Sequence, residues 1–79
     1  MASVSMELEV QGEHVLDEIE KRKPQIRDII IIILSSKTQE QVDTREGKDN
    51  LRNEIKDTIN SFLVQGKISN VFFTEFIYN

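Results

Sequence analysis

His14, Asp17 and Glu18 stand three and four residues apart. On a helix that spacing puts three potential metal ligands on one face. Acidic helices produce such triples by chance, so the plainer reading is an exposed histidine in a first helical turn. Glu7 and Glu9 share a parity that would place both carboxylates on one face of a strand, as an acid–base pair requires. A solvated strand face is the far better reading of the two. Phe72, Phe73 and Phe76 could stack nucleobases, but Glu75 lies among them and Lys67 is the nearest cation, so core packing is the better account. Gly12, Gly47 and Gly66 are isolated and form no phosphate loop. Ser35 and Ser36 have no histidine near them in sequence and most simply end a helix. These residues give no support for an enzyme, a metal or a cofactor.

The totals narrow the classes further. Seventy-nine residues make one domain at most, and a domain of this size buries only about 60% of its unfolded surface. Partners or further copies of the chain would add to that burial. The chain is 38% hydrophobic and 30% charged, a globular profile. Net charge is −4, and the one basic cluster, KRK at 21–23, follows Asp17, Glu18 and Glu20. That balance argues against nucleic acid, whose phosphates need a basic surface. There is no cysteine, which excludes disulfides, thiolate metal sites and cysteine nucleophiles. The longest apolar run, Ile29 to Leu34, is far short of the roughly 20 residues of a membrane span. MASVSMELEV has neither the basic start nor the apolar core of a signal peptide.

The elements are set by periodicity. In ASVSMELEV, residues 2–10, Val4, Met6, Leu8 and Val10 alternate with Ser3, Ser5, Glu7 and Glu9, which predicts a half-buried strand. From Glu13, the residues Val15, Leu16, Ile19, Ile26, Ile29, Ile30, Ile33 and Leu34 recur at helical steps. The five isoleucines of RDIIIIILSSKT therefore read as part of a helix, with Ile26, Ile29, Ile30 and Ile33 buried. β-Branched residues are only slightly poor helix formers. Pro24 predicts a kink near Lys23 or two abutting helices. Ile31 and Ile32 fall off the stripe and need a second neighbour, either the other helix or another subunit; they are the candidate protein interface.

Residues 35–44 read as a polar link, in which Thr38 and Gln41 have capping-box spacing and Thr44 can cap a second helix beginning at Arg45. Leu51, Ile55, Ile59, Phe62 and Leu63 form the stripe of that helix, with Arg52, Asn53, Lys56, Asp57 and Asn60 toward water and Gly66 as a left-handed cap. KISNVFFTEFIYN is strand-like and apolar on both sides, which predicts cover on both faces or a central position. Simple alternation puts Phe73 and Ile77 in the core, with Phe72 and Phe76 on the other side. The expected fold is α+β: strand–helix–helix–strand, a small antiparallel sheet with two helices on one face. Two strands leave open edges that invite pairing between chains.

Three stretches, taken together, resemble a known family. PQIRDIIIIILSSKT, TREGKDNLRNEIKDTIN and SNVFFTEFIYN resemble the C-terminal region of FliL, the flagellar basal-body-associated family. The matching residues are Pro24, Ile26, Arg27, Asp28 and Leu34 to Thr38; then Thr44, Glu46, Gly47, Lys48, Leu51 and Arg52; then Val71 to Phe76. Arg45 departs from the family, which often has proline there; the cap should survive. The resemblance runs in order over about residues 2–79.

It implies that residues 1–79 are a single periplasmic domain with a stomatin-like (SPFH) fold, truncated at its N-terminus and lacking the family's transmembrane helix and a preceding strand. Contact with the membrane would run only through that missing helix. It also implies a non-enzymatic role on the periplasmic side of the bacterial inner membrane, in the flagellar basal body. There such domains self-associate into a ring that supports the MotA/MotB stator and aids torque generation and motility. The competing class is a stomatin-like scaffold or adaptor domain of another membrane assembly. A small-ligand module is disfavoured by the lack of convergent polar groups.

Overall fold

The computed structural model describes residues 2–78, without the side chains of Ala2 and Tyr78. The elements are β1 (Ala2–Gln11), α1 (Glu13–Lys21), α2 (Lys23–Ser35), α3 (Gln39–Asp43), α4 (Arg45–Asn60) and β2 (Lys67–Tyr78). β1 and β2 pair antiparallel as a two-stranded sheet. The helices cover one face, with α4 packed on β2 and α2 reaching α4.

The isoleucine block is helical, as its periodicity predicts, and Pro24 divides the stripe into two abutting helices. Proline sits in the first turn of α2, where its missing N–H has no intrahelical partner to lose. Arg22 makes the junction: its N–H donates to the Glu18 carbonyl, and its own carbonyl accepts from Ile26. Ile26 and Ile33 are buried, whereas Ile29 and Ile30 are half-buried against the core. Leu16, placed on the stripe by spacing, is exposed.

Three further expectations are corrected. The polar link contains a short helix, α3, which buries Val42. Its N-terminus is the Thr38–Gln41 capping box, complete in both directions. Gly66 is not a left-handed cap; among the described residues only Gly12 has positive φ, at 97°. A Cβ at Gly66 would lie 2.2 Å from Val15 Cγ2, so glycine is needed there for close approach. Nor does Asn60 face water. It closes α4 by donating to the Ile68 carbonyl at 3.0 Å and accepting from the Ile68 N–H at 2.7 Å, which fixes where β2 starts.

The largest correction concerns β2. The register runs Val10↔Ile68, Leu8↔Val71, Met6↔Phe73 and Val4↔Phe76, with shifts that leave Ser69 and Thr74 without partners. Each shift is a bulge, two residues on β2 opposing one on β1. β1 alternates without interruption, while the inward residues of β2 are 68, 71, 73 and 76. Phe76 therefore packs on the core, edge to face with Phe73 at 5.2 Å between ring centroids. Ile77, expected inside, is exposed. The apolar residues on both sides of simple alternation reflect bulges rather than cover on two faces, and the outer face of the sheet carries no helix among the described residues.

Candidate protein interface

The positions of the motif residues show what they do. Ser36 ends α2, its N–H donating to the Ile32 and Ile33 carbonyls and its Oγ to the Ile33 carbonyl at 2.6 Å. Lys37 pairs with Glu54 of α4 at 2.6 Å. Thr44 caps α4 by accepting from the Gly47 N–H at 2.9 Å, with Arg45 in the first helical position and the cap intact. The Lys48 ammonium donates to the Val42 carbonyl at 2.8 Å and lies 5.0 Å from the centre of the Phe76 ring. Arg52 pairs with Asp49 and lies 5.3 Å from the centre of the Phe73 ring. LSSKT, TREGK and FTEF are thus tied to one another: the first caps, the second crosses to the third.

Glu18 has a structural role that spacing alone does not show. It does not join His14 and Asp17 as a ligand set. It is 7% exposed and folds back on the loop after α4. Its carboxylate accepts from the Gln65 N–H at 2.8 Å and the Val64 N–H at 3.0 Å, and from Arg22 Nε at 2.8 Å. The Gln65 N–H, helped by Arg22 and Val64 and opposed by partial burial, holds the carboxyl below the ordinary glutamate range. The signal in the sequence is slight: Glu18 and Arg22 at helical i,i+4 spacing.

That depression sets the sign of the pH effect. A carboxyl with a lowered folded pKa adds stability above its unfolded pKa, and this is lost as pH falls through the folded value. Urea midpoints of the protein and of Glu18→Gln should therefore differ most near neutrality. They should converge as pH drops below the ordinary glutamate range. A pH-independent gap would show that the charge on Glu18 contributes nothing.

With several motif residues tied into the fold, the exposed apolar residues become informative. Ile31 is 57% and Ile32 59% exposed on α2. Of the two neighbours left open by the sequence, the second helix does not cover them. Between β1 and α2 runs a groove of about 630 Å³ lined by Val4, Met6, Ile30, Ile31 and Leu34, with Arg27 and two serines among its walls. Phe72 and Ile77 stand on the outer face of the sheet. No helix among the described residues is long and apolar enough to cross a membrane.

Fold and motifs define a small α+β domain in which several signature residues cap helices and join elements. The chain matches the family described as "Flagellar basal body-associated protein FliL" over residues 1–78, and it belongs to that family, which is not an enzyme family. It is 46% identical over 76 residues to "Flagellar protein FliL" of Aquifex aeolicus (strain VF5), covering 96% of this chain and 47% of the relative. It is 34% identical over 73 residues to "Flagellar protein FliL" of Bacillus subtilis (strain 168), covering 92% of this chain and 52% of the relative. The chain thus spans about half the length of these curated relatives.

Proposed function

We propose that this chain is a periplasmic domain of a basal-body protein that associates with copies of itself and supports the MotA/MotB stator, aiding torque generation. Family membership supports the flagellar setting. The observation that carries an assembly role is the α2 ridge, where two isoleucines are more than half exposed beside an apolar groove. Contiguous apolar surface of this kind marks interaction sites, and protein interfaces combine an apolar centre with a polar rim. A stomatin-like arrangement of the complete protein fits the α+β order. On this reading the membrane is reached through a segment outside these 79 residues.

The test is Ile31→Ser with Ile32→Ser. Exposed substitutions cost about 0.5 kcal/mol or less, so circular dichroism of the chain should be nearly unchanged. In a deletion strain complemented with the full-length gene, the variant should reach the membrane, fail to assemble and swim poorly under load, with low stator occupancy. Normal assembly and swimming by a folded variant would remove both residues from the interface.

A further inference from the structure

The outer sheet face and the α2 groove differ in character in a complementary way. On the outer face the described ionisable groups between the strand ends are Glu7, Glu9 and Glu75, all acidic. Two of them are engaged: Glu9 accepts from Ser69 Oγ at 3.1 Å and Asn70 Nδ2 at 3.0 Å, and Glu75 accepts from Ser3 Oγ at 3.2 Å. Lys67, at the far end of the ladder, gives its ammonium to the Asn60 carbonyl at 2.9 Å. Glu7 has no hydrogen-bond or ion-pair partner among the described residues, and it stands directly opposite Phe72, which is 46% exposed. The face therefore presents an aromatic knob beside a free carboxylate.

The groove presents the counterpart. Its walls are mostly apolar side chains of β1 and α2, with Ser3 and Ser35 at their ends, and Arg27 is the one ionisable residue lining it. Arg27 likewise has no partner among the described residues, and it lies one helical turn before Ile31. Lys23 stands one turn further back on the same side of α2. The volume of about 630 Å³ accommodates a phenyl ring.

We propose that Phe72 of one copy seats in the groove between β1 and α2 of a second copy, with Glu7 against Arg27 at the rim. The contact joins different surfaces of the two copies. It is heterologous, and such contacts propagate head to tail, closing into a ring when the rotation per step allows. Aromatic and arginine side chains are the usual anchors of interfaces, and the opposite charges fix which surfaces meet. The inference rests on the proposed self-association only in taking a second copy as the neighbour.

A charge swap tests it. Arg27 and Glu7 are both exposed, so neither change threatens the fold. Sedimentation of the chain at several hundred micromolar should show concentration-dependent species beyond the dimer, weakened by salt. Arg27→Glu alone and Glu7→Arg alone should each weaken association at least about tenfold, because like charges then face each other. The two variants mixed, or both changes in one chain, should restore it. Phe72→Ser should abolish it. Species that stop at two, or a strictly monomeric protein, overturn the proposal. So does association that survives both single reversals, which would leave the flagellar reading standing because swimming is measured separately.

Discussion

Ile55→Ala is expected to lower stability by about 2–5 kcal/mol, the range for truncating a buried isoleucine. Ile55 is fully buried at the middle of α4, between Leu51 and Ile59, which are buried too. Surrounding atoms cannot collapse into the space without moving α4, so the cavity adds to the lost transfer energy. Small domains sit near the low end of protein stability, about 5 kcal/mol, so the variant should be partly unfolded at 37 °C. Thermal melts should shift by roughly 10 °C or more. The isoleucines of α2 give an internal scale. Of Ile30 to Ile33, Ile33→Ala should cost most, half-buried Ile30→Ala less than the full core value, and exposed Ile31→Ala or Ile32→Ala about 0.5 kcal/mol or less. Equal losses at all four positions would mean that α2 is covered on every side.

The helices are legible in the sequence because one period governs each. Ile26, Ile33, Leu51, Ile55 and Ile59 are spaced so that a helix brings them to one side, and no other regular backbone does. β1 is legible for the same reason at period two. β2 is not, because a bulge changes the parity of everything beyond it. Ser69 and Thr74 carry no mark that distinguishes them from paired strand residues, and only the register with β1 reveals them. Simple alternation consequently puts Phe76 and Ile77 on the faces opposite those they occupy. The short helix α3 escapes because five residues with one buried side chain have no measurable period.

At the candidate interface, spacing identifies Ile31 and Ile32 as lying off the core stripe, and their exposure agrees with that. What spacing does not supply is the partner wall. Alternation places Val4 and Met6 simply on the inner face of a strand, but a groove separates them from α2. Glu18 and Asn60 are also out of reach. Their partners are backbone groups of Val64, Gln65 and Ile68, which have no residue-type signature. Side chain to backbone bonds of this kind depend on where a loop returns.

Gly47→Ala should destabilise the domain by about 3 kcal/mol, at the upper end of overpacking costs, although helix propensity alone favours alanine by about 1 kcal/mol. Gly47 is the third residue of α4, and its φ is not positive, so backbone conformation does not demand glycine. The constraint is distance. A Cβ there would lie 1.9 Å from the Gln41 carbonyl oxygen and 2.8 Å from its carbon. Those atoms are main chain, so no rotamer change relieves the clash, and α3 must move away from α4. Moving α3 withdraws Val42 from the core and pulls the Val42 carbonyl from Lys48. Thr44→Ala is the matched control: it removes the cap on Gly47 without adding an atom near Gln41, and should cost only about 1 kcal/mol. Hydrogen exchange of Gly47→Ala should show α3 amides exposed while the centre of α4 stays protected. A more stable Gly47→Ala protein would mean that the two helices do not approach this closely.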